Sequence, residues 1–142
     1  QTCPNHFIVR TAWVFGKNGN NFVKTMLRLG KERDSINVVC DQFGSPTYTK
    51  DLARLICDMI QTDKYGTYHA TNEGYCSWAD FAEKIFEKAG KATKVKRLTT
   101  EEYPTPTKRP AYSVLENRMF KLTTDHMFAQ WEDAIAEYIK TL

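Results

Sequence analysis

At 142 residues, 42% hydrophobic and 26% charged, the chain has the composition of one globular domain or of a part of a larger one. Its net charge of +3 gives no nucleic-acid signal, no apolar run approaches a membrane span, and the basic stretch Lys84 to Arg97 has Glu83 and Glu87 interleaved, which favours a solvated helix face over an anion-binding patch. Four widely spaced cysteines without a Cys-x-x-Cys pair, and three scattered histidines, argue against a zinc-type metal site. With no signal peptide evident, and with Cys40 and Cys57 in apolar surroundings, reduced thiols in a cytoplasmic protein are expected.

The first element, FIVRTAWVFG (7–16), is rich in β-branched and aromatic residues. Apolar residues on both alternations predict a largely buried strand ending at Gly16. A turn over Gly16 to Asn20 follows, then a helix capped by Asn20 or Asn21, with Phe22, Met26 and Leu29 in one stripe and Gly30 at or near its end. Ile36 to Cys40 reads as a short strand. The stretch DQFGSPTYTKDLA (41–53) then combines turn and cap chemistry: Gly44 and Pro46 shape a loop, Thr47 or Thr49 caps a helix, and Asp51 favours its positive end. Leu52, Leu55, Ile56, Met59 and Ile60 give that helix its apolar face.

A strand is expected at Tyr65–Ala70. Ser77 and Asp80 are spaced as a capping box for a helix with Trp78, Phe81, Ala82, Ile85, Phe86 and Ala89 on its apolar face, closed by Gly90. Val95 to Leu98 is a further short strand. Thr99 to Asn117 holds three of the five prolines and reads as a long loop or lid, of the kind that carries function. The last helix starts near Phe128 and places Trp131, Ile135, Tyr138 and Leu142 on one face. Strands alternating with helices predict α/β architecture with parallel strands. The strands are too few for a complete sheet core. With Gln1 rather than Met at the start and a strand after six residues, the sequence reads as a fragment. Open edges on the strands at 7–15 and 66–70 predict homodimerisation or association through unpaired edges.

Catalytic signatures are absent. There is no glycine-rich dinucleotide loop, no Walker loop, no Gly-x-Ser-x-Gly elbow, no His-Glu-x-x-His and no Tyr-x-x-x-Lys. Recognition-type residues are present. Arg10 lies in a strand where a buried cation needs a partner. Trp13 is either core or a wall for a ligand ring. Asn21 with Phe22 starts a helix, as a cap or as a seat for phosphate. Arg109 suits bidentate contact with an anion, or simply solvent.

The ordered set RTAWVFG (10–16), NNFVKTM (20–26), DQFGSPTYTKDLA (41–53), GTYHATNEGYCSWADFA (66–82), RPAYSVLEN (109–117) and a final helix with Trp131-Glu132-Asp133-Ala134 resembles the C-terminal half of the dTDP-4-dehydrorhamnose reductases. These are extended short-chain dehydrogenase/reductases. The resemblance implies that residues 1–142 form the C-terminal part of a Rossmann-like NAD(P)-binding fold plus a small α/β substrate-binding lobe. It implies a whole enzyme that reduces the C4 ketone of dTDP-4-dehydro-L-rhamnose with NADPH or NADH, giving dTDP-L-rhamnose for polysaccharide. The glycine loop and the proton-donating Tyr-x-x-x-Lys lie outside this segment, so no catalytic residue is expected here and the chain alone should be inactive. Some relatives need Mg²⁺ for dimerisation.

Matched position by position, the resemblance places Arg10 and Thr11 beside the cofactor. It places Trp13, Asn21, Phe22, Gln42, Pro46, Thr47 and Arg109 at the dTDP-sugar. A tyrosine is more usual where Phe15 stands, so no hydroxyl role carries to that position. Two alternatives stay open: a non-catalytic relative of the kind that regulates methionine adenosyltransferase, and another nucleotide-sugar epimerase or dehydratase.

Overall fold

The computed structural model describes residues 3–142. In chain order its elements are β1 (Phe7–Arg10), β2 (Val14–Phe15), α1 (Phe22–Glu32), β3 (Ser35–Val39), β4 (Phe43–Gly44), β5 (Thr47–Tyr48), α2 (Thr49–Met59), β6 (Gly66–His69), β7 (Cys76–Ser77), α3 (Trp78–Lys88), β8 (Lys94–Leu98), α4 (Arg118–Thr123) and α5 (Trp131–Ile139). The α/β class expected from the alternation of elements is what the structure shows. Three strand pairs are parallel: β1 with β6, β2 with β5, and β3 with β8. The pair β4 with β7 is antiparallel. The larger core gathers Phe15, Val23, Ile36, Phe81, Ile85 and Tyr138 from β2, α1, β3, α3 and α5. A smaller one joins Leu55 and Met59 of α2 to Tyr68, Phe120 and Phe128.

Local chemistry explains the helices best. Asn21 caps α1, its Oδ1 accepting from the Lys24 N–H at 3.0 Å. Ser77 and Asp80 close a reciprocal capping box on α3. Gly30 does not stop α1, which continues to Glu32. It lies where α1 meets α3: a Cβ there would stand 2.7 Å from Phe86 Cε1.

Several sequence expectations need correction. The strand foreseen over 7–15 is two short strands, broken at Trp13, whose φ is 46°. A left-handed conformation costs a non-glycine residue about 1–2 kcal/mol, and here it turns the indole onto Trp78. The strand is also not buried on both faces: Ile8 and Arg10 are exposed while Phe7 and Val9 are half-buried. Arg10 therefore needs no buried partner. Neither Thr47 nor Thr49 caps α2. The residue preceding that helix is Tyr48, and its N–H donates to Asn72 Oδ1 at 2.8 Å. On α2 only Leu55 and Met59 are buried, so Ile56, Cys57 and Ile60 are exposed. Cys57 thus lacks the apolar surroundings foreseen for it. The buried thiol is Cys76, whose pKa burial pushes up, keeping it protonated. α4 follows directly on the 99–117 loop and has no counterpart among the sequence expectations.

Candidate functional site

Two adjoining cavities, of about 720 and 400 Å³, share Gln42, Trp78 and Arg109, and the larger opens beside α1 and β3. The floor of the smaller is aromatic. The Trp13 and Trp78 rings stack with centroids 3.5 Å apart and planes 9° apart. Phe22 packs against Trp78 at 4.7 Å. Gly44 makes the arrangement possible, because a Cβ there would lie 2.3 Å from Trp13 Cε2. The larger cavity runs along Phe22, Met26 and Leu29 of α1 and Ile36 and Val38 of β3.

The charged groups on the two linings are Arg33, Lys96 and Arg109, with no carboxylate among the described lining residues. Such a cleft favours an anion. Carboxylates that lie nearby are committed elsewhere. Asp80 accepts from Ser77 and from the guanidinium of Arg97, which also pairs with Glu83.

The proline-rich segment 101–110 is exposed throughout and forms an arch over the cleft, contributing Tyr103, Thr105, Thr107, Arg109 and Pro110 to the linings. Both its feet stand on three consecutive residues. At one foot the Thr100 N–H donates to Asp41 Oδ2 at 2.9 Å. At the other, Phe43 exchanges backbone hydrogen bonds with Ala111 and Ser113 at 2.8 and 2.9 Å.

Of the residues singled out from sequence, Trp13, Phe22, Gln42 and Arg109 meet on the cavity walls. The others stand behind or beside them. Asn21 donates to the Gly16 carbonyl at 2.8 Å and to the Tyr138 hydroxyl at 3.4 Å, besides capping α1. Thr47 is fully buried; its hydroxyl donates to the Ala12 carbonyl at 2.7 Å and accepts from Thr11 at 3.2 Å. The buried Pro46 offers its carbonyl to the Asn72 N–H. Arg10 and Thr11 are exposed at the C-terminal end of β1. In open parallel sheets that is the end where ligands bind.

Trp78, Tyr103, Lys96 and Arg33 line the cleft and were not singled out from sequence. Trp78 fitted the apolar period of its helix, Lys96 belonged to the basic stretch read as a solvated helix face but lies on β8, and Tyr103 and Arg33 are isolated residues without spacing. Among the described residues, no group of three His, Cys, Asp or Glu stands close enough to hold a metal ion. Among the same residues, no helix is long and apolar enough to cross a membrane.

The family model of the RmlD substrate binding domain matches residues 1–142. The chain is 44% identical over 142 residues to the spore coat polysaccharide biosynthesis protein SpsK of Bacillus subtilis (strain 168), covering 98% of this chain and 48% of that protein. It is 42% identical over 144 residues to a dTDP-4-dehydrorhamnose reductase of Aggregatibacter actinomycetemcomitans, covering 93% of this chain and 49% of that one. The solved dTDP-4-dehydrorhamnose reductase of Bacillus anthracis str. Ames, in complex with NADP, superposes with a TM-score of 0.93 at 48% identity, covering 96% of this chain and 48% of that one. The chain spans about half the length of the curated relatives it matches.

Proposed function

Because the chain belongs to the RmlD substrate binding domain family, we propose that it forms the substrate-binding part of a dTDP-4-dehydrorhamnose reductase. In this reading residues 1–142 supply the end of a Rossmann-like sheet and a small sugar-nucleotide lobe. The whole protein reduces dTDP-4-dehydro-L-rhamnose to dTDP-L-rhamnose.

The observation that carries the reading is the cleft itself: stacked indoles, three cations and no carboxylate on its described walls. A sugar nucleotide offers matching chemistry, with flat or apolar ring faces at one end and a diphosphate between. Trp13, stacked on Trp78, belongs to the aromatic wall against which a ring of the substrate packs. Arg109, carried by the arch, reaches the diphosphate with a planar fork of donors. Phe22 closes the wall behind the substrate, and Gln42 makes a directional contact. Asn21, Pro46 and Thr47 hold the backbone that positions these groups.

The cofactor of the whole protein is NADPH, which supplies hydride when bound. Arg10 and Thr11 fit its neighbourhood, since both are exposed at the C-terminal end of a parallel strand. No Tyr-x-x-x-Lys pair occurs in the sequence, so the proton donor belongs to the remainder of the enzyme. The cytoplasm is the proposed location, supported by four free thiols.

The test is turnover of dTDP-4-dehydro-L-rhamnose by the full-length protein with NADPH, alongside calorimetric titration with dTDP-rhamnose. Arg109→Ala is expected to weaken binding by about ten- to a hundredfold, the range for a hydrogen bond to a charged group. A full-length protein showing neither turnover nor binding overturns the reading.

A further inference from the structure

Gln42 stands where the two cavities meet and is only 7% exposed. A primary amide has a donor side and an acceptor side, and its fixed neighbours decide which one a ligand meets. Here the neighbours leave one solution. The Asp41 carboxylate accepts from the Thr100 N–H at 2.9 Å and from the Thr100 hydroxyl at 2.7 Å. These two bonds, the N–H first, hold the Asp41 carboxyl below its usual range, so it is ionised and can only accept.

The single hydroxyl proton of Thr100 is therefore committed to Asp41. Thr100 Oγ1 must accept from its other neighbour, the Gln42 amide at 3.0 Å, and only Nε2 can donate. Gln42 Oε1 makes no hydrogen bond among the described residues. The order of donation runs from Gln42 to Thr100 to Asp41.

We propose that Asp41 and Thr100 are positioning residues that lock Gln42 with its carbonyl oxygen available to the ligand, so that the cleft reads a hydrogen-bond donor at this point. On a sugar nucleotide that donor is the imide N–H of the base or a hydroxyl of the sugar. The inference rests on the reading of the cleft as a sugar-nucleotide site and adds the direction of one contact within it.

The experiment uses the full-length protein and two probes, dTDP and dTDP-rhamnose, titrated calorimetrically. Thr100→Val removes the hydroxyl at nearly constant volume and frees the Gln42 amide to rotate. Affinity is expected to fall about three- to tenfold, the value of one hydrogen bond. A fall for both probes identifies the base imide, and a fall for dTDP-rhamnose alone identifies a sugar hydroxyl.

Thr100→Ser keeps the relay and is expected to restore binding. In a Gln42→Ala background, Thr100→Val is expected to cost nothing more, because the residue it positions is gone. Wild-type affinity for both probes in Thr100→Val overturns the inference. An undiminished loss in the Gln42→Ala background also overturns it, since the hydroxyl would then act on the arch alone. A wild-type protein that binds neither probe overturns the functional reading, and this inference with it.

Discussion

Trp13 and Gly44 form one unit at the scale of single residues. The indole adopts its left-handed backbone conformation only because Gly44 leaves room for the ring and Trp78 receives its face. Gly44→Ala is expected to lift Trp13 off Trp78 and weaken dTDP-rhamnose binding about three- to tenfold, the range for an aromatic pair. Indole fluorescence should change while far-UV dichroism does not; unchanged fluorescence and affinity would contradict the coupling. Asp80 allows a prediction about acid. Burial alone would raise its pKa, but the bonds from the Ser77 hydroxyl and N–H and from Arg97 outweigh burial and hold it below 3.8. A carboxyl whose pKa falls on folding contributes fully above its unfolded value, and that contribution disappears as pH drops through the folded value. Stability to urea is thus expected to hold from neutrality to about pH 4 and to decline below it. Asp80→Asn should flatten that decline, and an equally steep decline would assign it to other carboxylates. Of the site, Trp13, Phe22, Gln42 and Arg109 were legible because each sits in a recognisable motif. Trp78 was not, because its spacing satisfied a helix and nothing in a linear pattern shows a second ring lying on it.

The helices differ in how their starts are secured. α3 carries its own signal, with Ser77 and Asp80 three residues apart, and this is why sequence reading located it. α2 is secured from a distance: Asn72 accepts from the Tyr48 N–H and donates to Asp51 Oδ2 at 2.7 Å and to the Ala129 carbonyl at 3.2 Å. One buried amide thereby ties α2 to the approach of α5. Nothing local foretells this, and the threonines at 47 and 49 were the natural but wrong candidates. Asn72→Ala should cost about 2–3 kcal/mol, because it leaves a buried N–H and a carbonyl without partners. The loss expected for Ser77→Ala is smaller, about 1 kcal/mol for one cap. Urea denaturation of the two variants gives the order, and a smaller loss for Asn72→Ala would contradict the account. The two-residue strands β4, β5 and β7 escaped prediction for a related reason. A period of two cannot show itself in two residues, and their pairing depends on partners far along the chain.

At the scale of the molecule, the strands of the described residues form four separate two-stranded sheets. A parallel pair such as β1 with β6 ordinarily lies inside a larger sheet, and Ile8, Ile60 and Tyr65 stand exposed at 47%, 64% and 44%. Made alone, the 142-residue chain is expected to self-associate through these surfaces. Sedimentation velocity over a hundredfold range of concentration would reveal it, and a constant monomer would count against it. The class of fold and the order of its long elements were readable because they rest on periodicity. The grouping of strands was not, because it rests on contacts made across the chain. The arch over the cleft has a consequence for design. Its feet are gripped by Asp41 and Phe43, with only Gln42 between them, so the socket is indifferent to what the arch carries. Doubling the length of a loop adds only about 0.6 kcal/mol of closure entropy. Residues 101–110 are therefore an exchangeable cassette: transplanting an arch of another length or charge would change the lining of the cleft, while the scaffold beneath keeps its shape.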